Sequence, residues 1–211
     1  MNKQAVLAGA GALAFGVLAF VAMMVSNAPG GDYKASDITA YLARGHRPAV
    51  FISAYLMLIA VAGILLLLAR LRILIAGEGR ASIFWGFGVA ATGAWIVGYT
   101  LTISPVLALA YSGGHLKTLS PTLVYSLAEA GWAIAYGAGG LLLGCALLTF
   151  VLGPVAVPSW ARWFTAVAAV AALAALAWFP FFLVYIWAIV IGLRTLVADR
   201  TGEPVRTPQL A

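Results

Sequence analysis

The chain contains 211 residues, of which 64% are hydrophobic and 9% are charged, and its net charge is +6. A soluble domain carries charge on about a quarter of its residues, so the composition excludes a soluble globular domain, a disordered tail and a nucleic-acid-binding protein. The twelve Lys and Arg residues are better interpreted as basic flanks of membrane spans. The single cysteine, Cys145, excludes an internal disulfide, a CxxC redox pair and a thiolate metal cluster.

Long apolar runs predict an all-α integral membrane protein built as a bundle of six transmembrane helices. A bilayer core of about 30 Å needs about 20 apolar residues per helix, and the runs are continuous rather than alternating, which excludes a β-barrel. The predicted spans, all within one domain over residues 1–198, are 5–25, 49–69, 82–103, 125–152, 162–178 and 181–197. Residues 199–211 are predicted to form a flexible cytoplasmic tail.

The first span has an alternative interpretation as a cleaved signal peptide, because Ser26-Asn27-Ala28 resembles a small-residue cleavage site. The apolar run from Ala5 to Val25 is longer than the apolar core of a signal peptide, which has about 7–15 residues. Its length favours a retained helix.

The last apolar stretch, from Arg162 to Ala198, decides between five and six spans. A single helix of this length would measure about 55 Å, far more than a bilayer, whereas a tight hairpin at Pro180 gives two short spans. Six spans with both termini in the cytoplasm place eight basic residues inside and four outside, the asymmetry that membrane proteins prefer. The inner set is Lys3, Arg70, Arg72, Arg80, Arg162, Arg194, Arg200 and Arg206, and the outer set is Lys34, Arg44, Arg47 and Lys117.

The polar stretch after the first span predicts a short outer helix over about residues 36–45. Ser36 suits the N-cap and Gly45 suits the end of such a helix. Ile38 and Tyr41 then share an apolar stripe that is expected to lie on the outer membrane surface. An ordinary connecting loop is the alternative.

The second outer connection is expected to project above the membrane. Ser120 followed by Pro121 is typical of a helix start, so the fourth helix should run from about Pro121 to Leu152. The third helix could continue past Pro105 towards Tyr111. The two helices would then form a hairpin that meets the outer helix.

Small and aromatic residues predict contacts of the helices. Gly140 and Gly144 form a GxxxG pair, with Gly137 one turn earlier, and such faces let helix backbones approach closely. Packing inside this chain's own bundle is favoured, and dimerisation is the alternative. Tryptophans near the predicted span ends are expected to be interfacial anchors; these are Trp85, Trp132, Trp160, Trp163 and Trp178.

Glu129 is the one acidic residue in a helical stretch that adjoins hydrocarbon. Ionisable groups in spans are costly and mark functional sites by default, while a structural ion pair or hydrogen bond is the alternative this close to the headgroups. A polar partner is expected from the second or third span, and the candidates are Arg47, Tyr99, Thr100 and Thr102.

No sequence motif for catalysis or cofactor binding occurs. His46 and His115 could bind Zn²⁺ with an acidic residue, but no HxxxH or HExxH spacing supports such a site. Neither histidine lies within a predicted span to ligate haem, and no GxSxG, phosphate-binding or dinucleotide-binding sequence is present. We therefore predict no catalytic residue, no metal, no cofactor and no nucleic-acid partner.

The order of a first span, the polar stretch SDITAYLARGHRP, a span that ends LLLLARLR and a final WFPFFLVYIWAIVIGL resembles a group of uncharacterised bacterial multi-pass membrane proteins with a domain of unknown function. The resemblance covers most of the chain and rests on layout. It implies a bacterial plasma-membrane location, and it implies no activity and no functional residues.

These observations favour a non-enzymatic membrane component that acts in assembly, in sensing or as an accessory protein. Its expected partners are the lipid bilayer and either another membrane protein or a second copy of the chain. The alternative is a transporter or channel subunit for a small solute, with Glu129 lining the pathway. A wet cavity that reaches Glu129 would favour transport, and a dry, filled bundle would favour the accessory role.

Overall fold

A computed structural model describes residues 3–31, 34–177 and 179–201, and every regular element in these residues is a helix. The α-helices are α1 Lys3–Ser26, α2 Ala35–Leu42, α3 Arg47–Arg72, α4 Glu78–Tyr111, α5 Pro121–Trp132, α6 Gly139–Val151, α7 Ser159–Leu173 and α8 Phe182–Thr201. A π-helical turn, Ala133–Ala138, joins α5 to α6. The two helices therefore continue into one another.

Four helices in the described residues are long and apolar enough to cross a membrane: Lys3–Ser26, Arg44–Arg72, Glu78–Tyr111 and Pro121–Val151. Ser159–Leu173 and Phe182–Ala198 are shorter apolar helices. The protein is thus all-helical, with the composition of a membrane protein.

The long helices form a closed ring in chain order. α1 packs most extensively against α3 and α8, α4 packs against α3, α5 and α6, and α7 lies between α6 and α8. α2 contacts α4 and α5, as the predicted hairpin requires, and we call this end of the ring the cap end. The opposite end, where α3 ends and α4 begins, we call the basic end.

α1 approaches both of its neighbours at glycines. A Cβ built on Gly11 would lie 2.6 Å from the carbonyl oxygen of Gly63 in α3, and one built on Gly9 would lie 2.9 Å from that of Gly192 in α8. These are contacts between two backbones, so only glycine fits. Lipid tails are as apolar as the side chains, so the hydrophobic effect does not bring helices together in a membrane. Close approach of the backbones instead gains dispersion energy.

α4 passes through Pro105 without ending. Proline cannot donate to the carbonyl of Leu101 four residues earlier, and the Ser104 hydroxyl donates to that carbonyl instead, at 2.8 Å. In hydrocarbon every backbone polar group needs a partner within the protein. Ser104 therefore helps to keep the helix continuous.

The predicted short helix after α1 exists, but its bounds differ from the expectation. α2 begins at Ala35 with Lys34 in the N-cap position, so Ser36 lies inside the helix and is not its cap. The helix ends at Leu42, before Gly45.

The apolar stripe of α2 faces the bundle, so its predicted position on the membrane surface is wrong. Ile38 and Tyr41 are each 1% exposed, and the Tyr41 hydroxyl donates to the carbonyl of Thr102 in α4 at 3.2 Å. The end of the bundle offers Tyr41 an acceptor as well as apolar contacts. Lipid tails offer only the apolar contacts.

The chain turns between α7 and α8 at Pro180, which lies in a 3-10 turn outside both α-helices. α7 ends at Leu173, before the predicted end of the fifth span, and a second 3-10 turn, Ala175–Ala177, follows it. α8 continues to Thr201, past the predicted start of the tail. Residues 202–211 of that tail lie outside the described residues.

Two connections are joined at the basic end. The N–H of Ala76 donates to the carbonyl of Pro154 at 3.3 Å, and the N–H of Ala156 donates to that of Leu74 at 3.2 Å. This short antiparallel bridge ties the α3–α4 connection to the α6–α7 connection.

Candidate functional site

The inside of the ring is filled towards the cap end by aromatic side chains from α1, α4, α5, α8 and the adjoining turns. We call this set the aromatic cluster; it comprises Phe15, Trp95, Tyr99, Trp132, Tyr136, Phe181 and Tyr185. Phe15 stacks on Trp95 with ring centroids 5.1 Å apart, and Phe181 meets Tyr136 at 5.1 Å and Tyr185 at 5.3 Å. Trp132 is 4% exposed within this cluster, so its prediction as an interfacial anchor is wrong, while Trp178 lies outside the described residues.

A cavity of about 10 Å³ remains among these rings. Its lining includes Phe15, Trp95, Tyr99, Trp132 and Tyr136, and it does not include Glu129. A cavity must reach about 10–15 Å³ to hold a single water molecule. The cavity is therefore at the lower limit for one water.

The tyrosine hydroxyls of the aromatic cluster have partners within the chain. The hydroxyl oxygens of Tyr136 and Tyr185 lie 3.1 Å apart, and Tyr136 also donates to the sulfur of Met23. Tyr99 donates to the carbonyl of Ala22 at 3.1 Å. These bonds tie α1 to the opposite side of the ring.

Trp95 is different, because its indole Nε1 is buried and has no acceptor in the part of the chain that the structure describes. The nitrogen lies beside Gly139, where an added Cβ would be 2.8 Å from it. An unpaired buried donor costs about 1–3 kcal/mol. Gly139 directly follows the π-helical turn, so the unpaired indole N–H of Trp95 lies beside the start of α6.

Glu129 holds the connection between α1 and α2. Its Oε1 accepts a hydrogen bond from the backbone N–H of Gly31 at 3.1 Å. Tyr125 donates to the carbonyl of Gly31 at 2.6 Å, and Trp132 Nε1 donates to the carbonyl of Pro29 at 3.3 Å. Residues spaced four and three apart share one helix face. One face of α5 therefore makes all three hydrogen bonds to the α1–α2 connection. We call Tyr125, Glu129 and Trp132, with residues 29–31, the loop clasp.

Backbone geometry brings the connection over α5. Asn27 has φ 43° and Gly31 has φ 69°, a left-handed region that glycine enters freely and asparagine enters more readily than most residues. The two turns direct backbone donors and acceptors of residues 29–31 towards α5. The Glu129 carboxylate accepts the Gly31 N–H at 3.1 Å, so the loop backbone supplies its partner.

None of the four predicted partners bonds to Glu129 within the described residues, so the prediction of a partner from the second or third span is wrong. Tyr99 donates to α1 and Thr102 donates to helix carbonyls of α4 and α5. Thr100 is exposed, and the Nε of Arg47 is buried without an acceptor there. The actual partner is the backbone of the loop.

The predicted small-residue face lies against α7. A Cβ built on Gly140 would lie 2.9 Å from the carbonyl oxygen of Ala172, and one built on Gly144 would lie 2.9 Å from the backbone nitrogen of Leu173. Gly137 is buried in the π-helical turn. Gly140 and Gly144 therefore contact a helix of the same chain.

The two histidines are separated. His46 Nε2 lies 2.8 Å from the carbonyl oxygen of Ser26 and joins the start of α3 to the end of α1, whereas His115 is exposed in the α4–α5 connection. No group of three or more His, Cys, Asp or Glu side chains that could hold a metal ion occurs among the described residues.

Tyr41 docks α2 in its neutral form. Burial raises the pKa of its hydroxyl, and the nearby Tyr99 raises it further. The protonated hydroxyl is the form that donates to Thr102. The raised pKa and the hydrogen bond to Thr102 therefore both favour the neutral hydroxyl of Tyr41.

Sequence reasoning missed the loop backbone as the partner of Glu129 and missed the aromatic cluster. The usable signal was the presence of Tyr99, Tyr136 and Tyr185 in apolar helices, since a buried tyrosine hydroxyl usually finds a hydrogen-bond partner.

No protein-family model, curated protein or solved structure matches this chain. The resemblance to bacterial multi-pass membrane proteins stays a prediction.

Proposed function

We propose that the protein is a six-span protein of the bacterial plasma membrane, with both termini in the cytoplasm and α2 outside. α7 has 15 residues and measures about 22 Å. The 3-10 turn Ala175–Ala177 adds about 6 Å, which brings this segment close to a bilayer core of about 30 Å. The 20 residues of α8 give about 30 Å.

Within this topology, the function supported best is that of a non-enzymatic accessory, assembly or sensing component. The filled interior carries this proposal: the cavity among the aromatic rings is about 10 Å³. A solute pathway needs a water-filled route lined by polar or charged groups. Glu129, the candidate for such a route, is bonded to Gly31 instead.

The proposed role depends on the surfaces of the protein, and we propose that α2 at the cap end contacts another membrane protein or a second copy of the chain. The exposed face of α2 includes Asp37 and the turn after α2 includes Arg44, both exposed. These groups would meet a partner outside the bilayer, where polar contacts give specificity.

Co-purification in mild detergent, with mass spectrometry of bound proteins and size analysis of the complex, tests the role. We expect a stoichiometric partner, or a dimer, that is lost in D37K/R44E and retained in the basic-end control E78K. If wild type and E78K are both monomers without a bound partner, the proposal is contradicted. In proteoliposomes, solute flux that wild type shows and E129Q lacks would favour the transporter alternative.

A further inference from the structure

Two arginines converge on the end of α6 at the basic end. Arg80, from α4, donates from Nη2 to the carbonyl of Pro154, and Arg162, from α7, donates from Nε to the carbonyl of Val151 at 2.8 Å. Val151 is the last residue of α6, where carbonyls carry partial negative charge and attract cations, and Pro154 lies in the connection that follows. Both guanidinium groups are therefore anchored by backbone.

Gly153 makes room for one of these groups. A Cβ built on Gly153 would overlap the guanidinium of Arg80 and would lie 2.9 Å from its Nε. That Nε is buried and has no acceptor among the residues that the structure describes. Only glycine at position 153 therefore leaves room for the Arg80 guanidinium.

The surrounding segments concentrate positive charge. Residues 70–80 and 151–162, which the antiparallel bridge joins, contain four arginines and a single acid, Glu78. All four arginines belong to segments at the basic end, and for this shared location we call them the arginine cluster; it comprises Arg70, Arg72, Arg80 and Arg162. The helix C-terminus of α6 cannot neutralise them all, since it carries only about half an elementary charge.

Large apolar side chains beside the arginine cluster are exposed. Ile73 is 58%, Leu152 78% and Trp163 74% exposed, and the guanidinium of Arg72 lies over the ring of Trp85, 5.9 Å from its centroid. An anionic headgroup attached to acyl chains would cover both the cationic and the apolar groups. A soluble polyanion would leave the apolar groups in water.

We propose that Arg162, in the positive field of the arginine cluster, binds the phosphate group of an anionic phospholipid at this end of the bundle. A guanidinium presents a planar fork of donors that matches phosphate oxygens, and Arg162 is exposed and anchored through Nε, which leaves its terminal nitrogens for the ligand. Basic residues beside a membrane surface attract anionic lipid headgroups. The inference depends on the membrane location and not on the accessory role.

The test uses the full chain in mild detergent with native mass spectrometry, which counts bound lipids as phosphatidylglycerol or phosphatidylcholine is added. One basic residue near a membrane surface changes affinity for anionic lipid by about fivefold. We expect wild type to bind phosphatidylglycerol more than about tenfold more tightly than phosphatidylcholine. Equal binding of the two lipids by wild type would overturn the proposal, and this comparison needs no variant.

Variants then locate the site. R162Q should bind phosphatidylglycerol about fivefold and R72Q/R162Q about 25-fold more weakly than wild type, whereas R44Q at the cap end should bind it normally. Because Arg162 also holds a backbone carbonyl, melting of each variant without added lipid checks that the fold is retained. Equal weakening by R162Q and R44Q would overturn the assignment to the arginine cluster.

Competition separates a lipid from a soluble phosphate. Inorganic phosphate lacks the acyl chains that would contact Ile73 and Leu152, so at equal concentration it should leave phosphatidylglycerol bound. Displacement of the lipid under those conditions would overturn its identification as the ligand.

Discussion

The substitution Gly11→Ala probes the contact between α1 and α3, which is the most extensive helix contact in the described residues. The new Cβ would lie 2.6 Å from the carbonyl oxygen of Gly63 and 3.0 Å from its Cα. Both are backbone atoms, so no change of rotamer relieves the overlap and the helices must shift. Overpacking of this kind costs about 1–3 kcal/mol.

The measurement is thermal unfolding of the full chain in mild detergent, followed by size-exclusion chromatography of the heated samples. For a chain of this length, each kcal/mol shifts the melting temperature by about 2–4 °C, so Gly11→Ala should melt about 2–12 °C below wild type. Gly93→Ala is the matched control, because nothing lies within 4 Å of its added Cβ and alanine is favoured over glycine in a helix by about 0.5–1 kcal/mol. If Gly11→Ala melts at or above the wild-type temperature, the inferred closeness of the two backbones is refuted.

The loop clasp, α2 and the α6–α7 contact give three further expectations. Glu129→Gln keeps an oxygen for the N–H of Gly31 and should lower stability slightly, whereas Glu129→Ala should lose about 1 kcal/mol and speed hydrogen exchange at Gly31; identical melting of both variants and wild type would contradict the clasp. Because burial raises the pKa of Tyr41 above its ordinary 10.0, the docking of α2 should be complete below pH 10.0 and be lost as the pH rises through the raised value. The difference in tyrosinate absorbance between wild type and Tyr41→Phe, followed with pH, reports the ionisation of Tyr41. Ionisation of Tyr41 around pH 10.0, its ordinary pKa, would contradict this prediction. Gly140→Leu should lose about 1–3 kcal/mol in detergent melting, since its Cβ would lie 2.9 Å from the carbonyl oxygen of Ala172; unchanged melting would mean that this face points to lipid.

Apolar runs locate the helices because hydrocarbon admits only segments that bond their own backbones. Local signals locate an end where the end is set locally: Ser120 and Pro121 correctly predict the start of α5. Ser36 fails as a predicted cap because the docking of Ile38 and Tyr41 on the bundle fixes the position of α2. Tertiary contact overrides a local preference there.

The candidate site was predicted less well, because its bonds join distant segments. Glu129 and Gly31 are 98 residues apart, and Tyr136 and Tyr185 are 49 apart. The path of the loop depends on the left-handed conformations of Asn27 and Gly31, which no apolar pattern reveals. The π-helical turn between α5 and α6 likewise has an ordinary helical sequence.

The most direct test of the proposed six-span arrangement is the location of reporters fused to the protein in a bacterial membrane. The arrangement requires α7 and α8 each to cross the bilayer, although α7 has only 15 residues. A reporter fused after Ala211 should be cytoplasmic, and one inserted between Lys34 and Ser36 should be outside. A C-terminal reporter found outside would mean that α7 and α8 make a single crossing, and it would contradict the account.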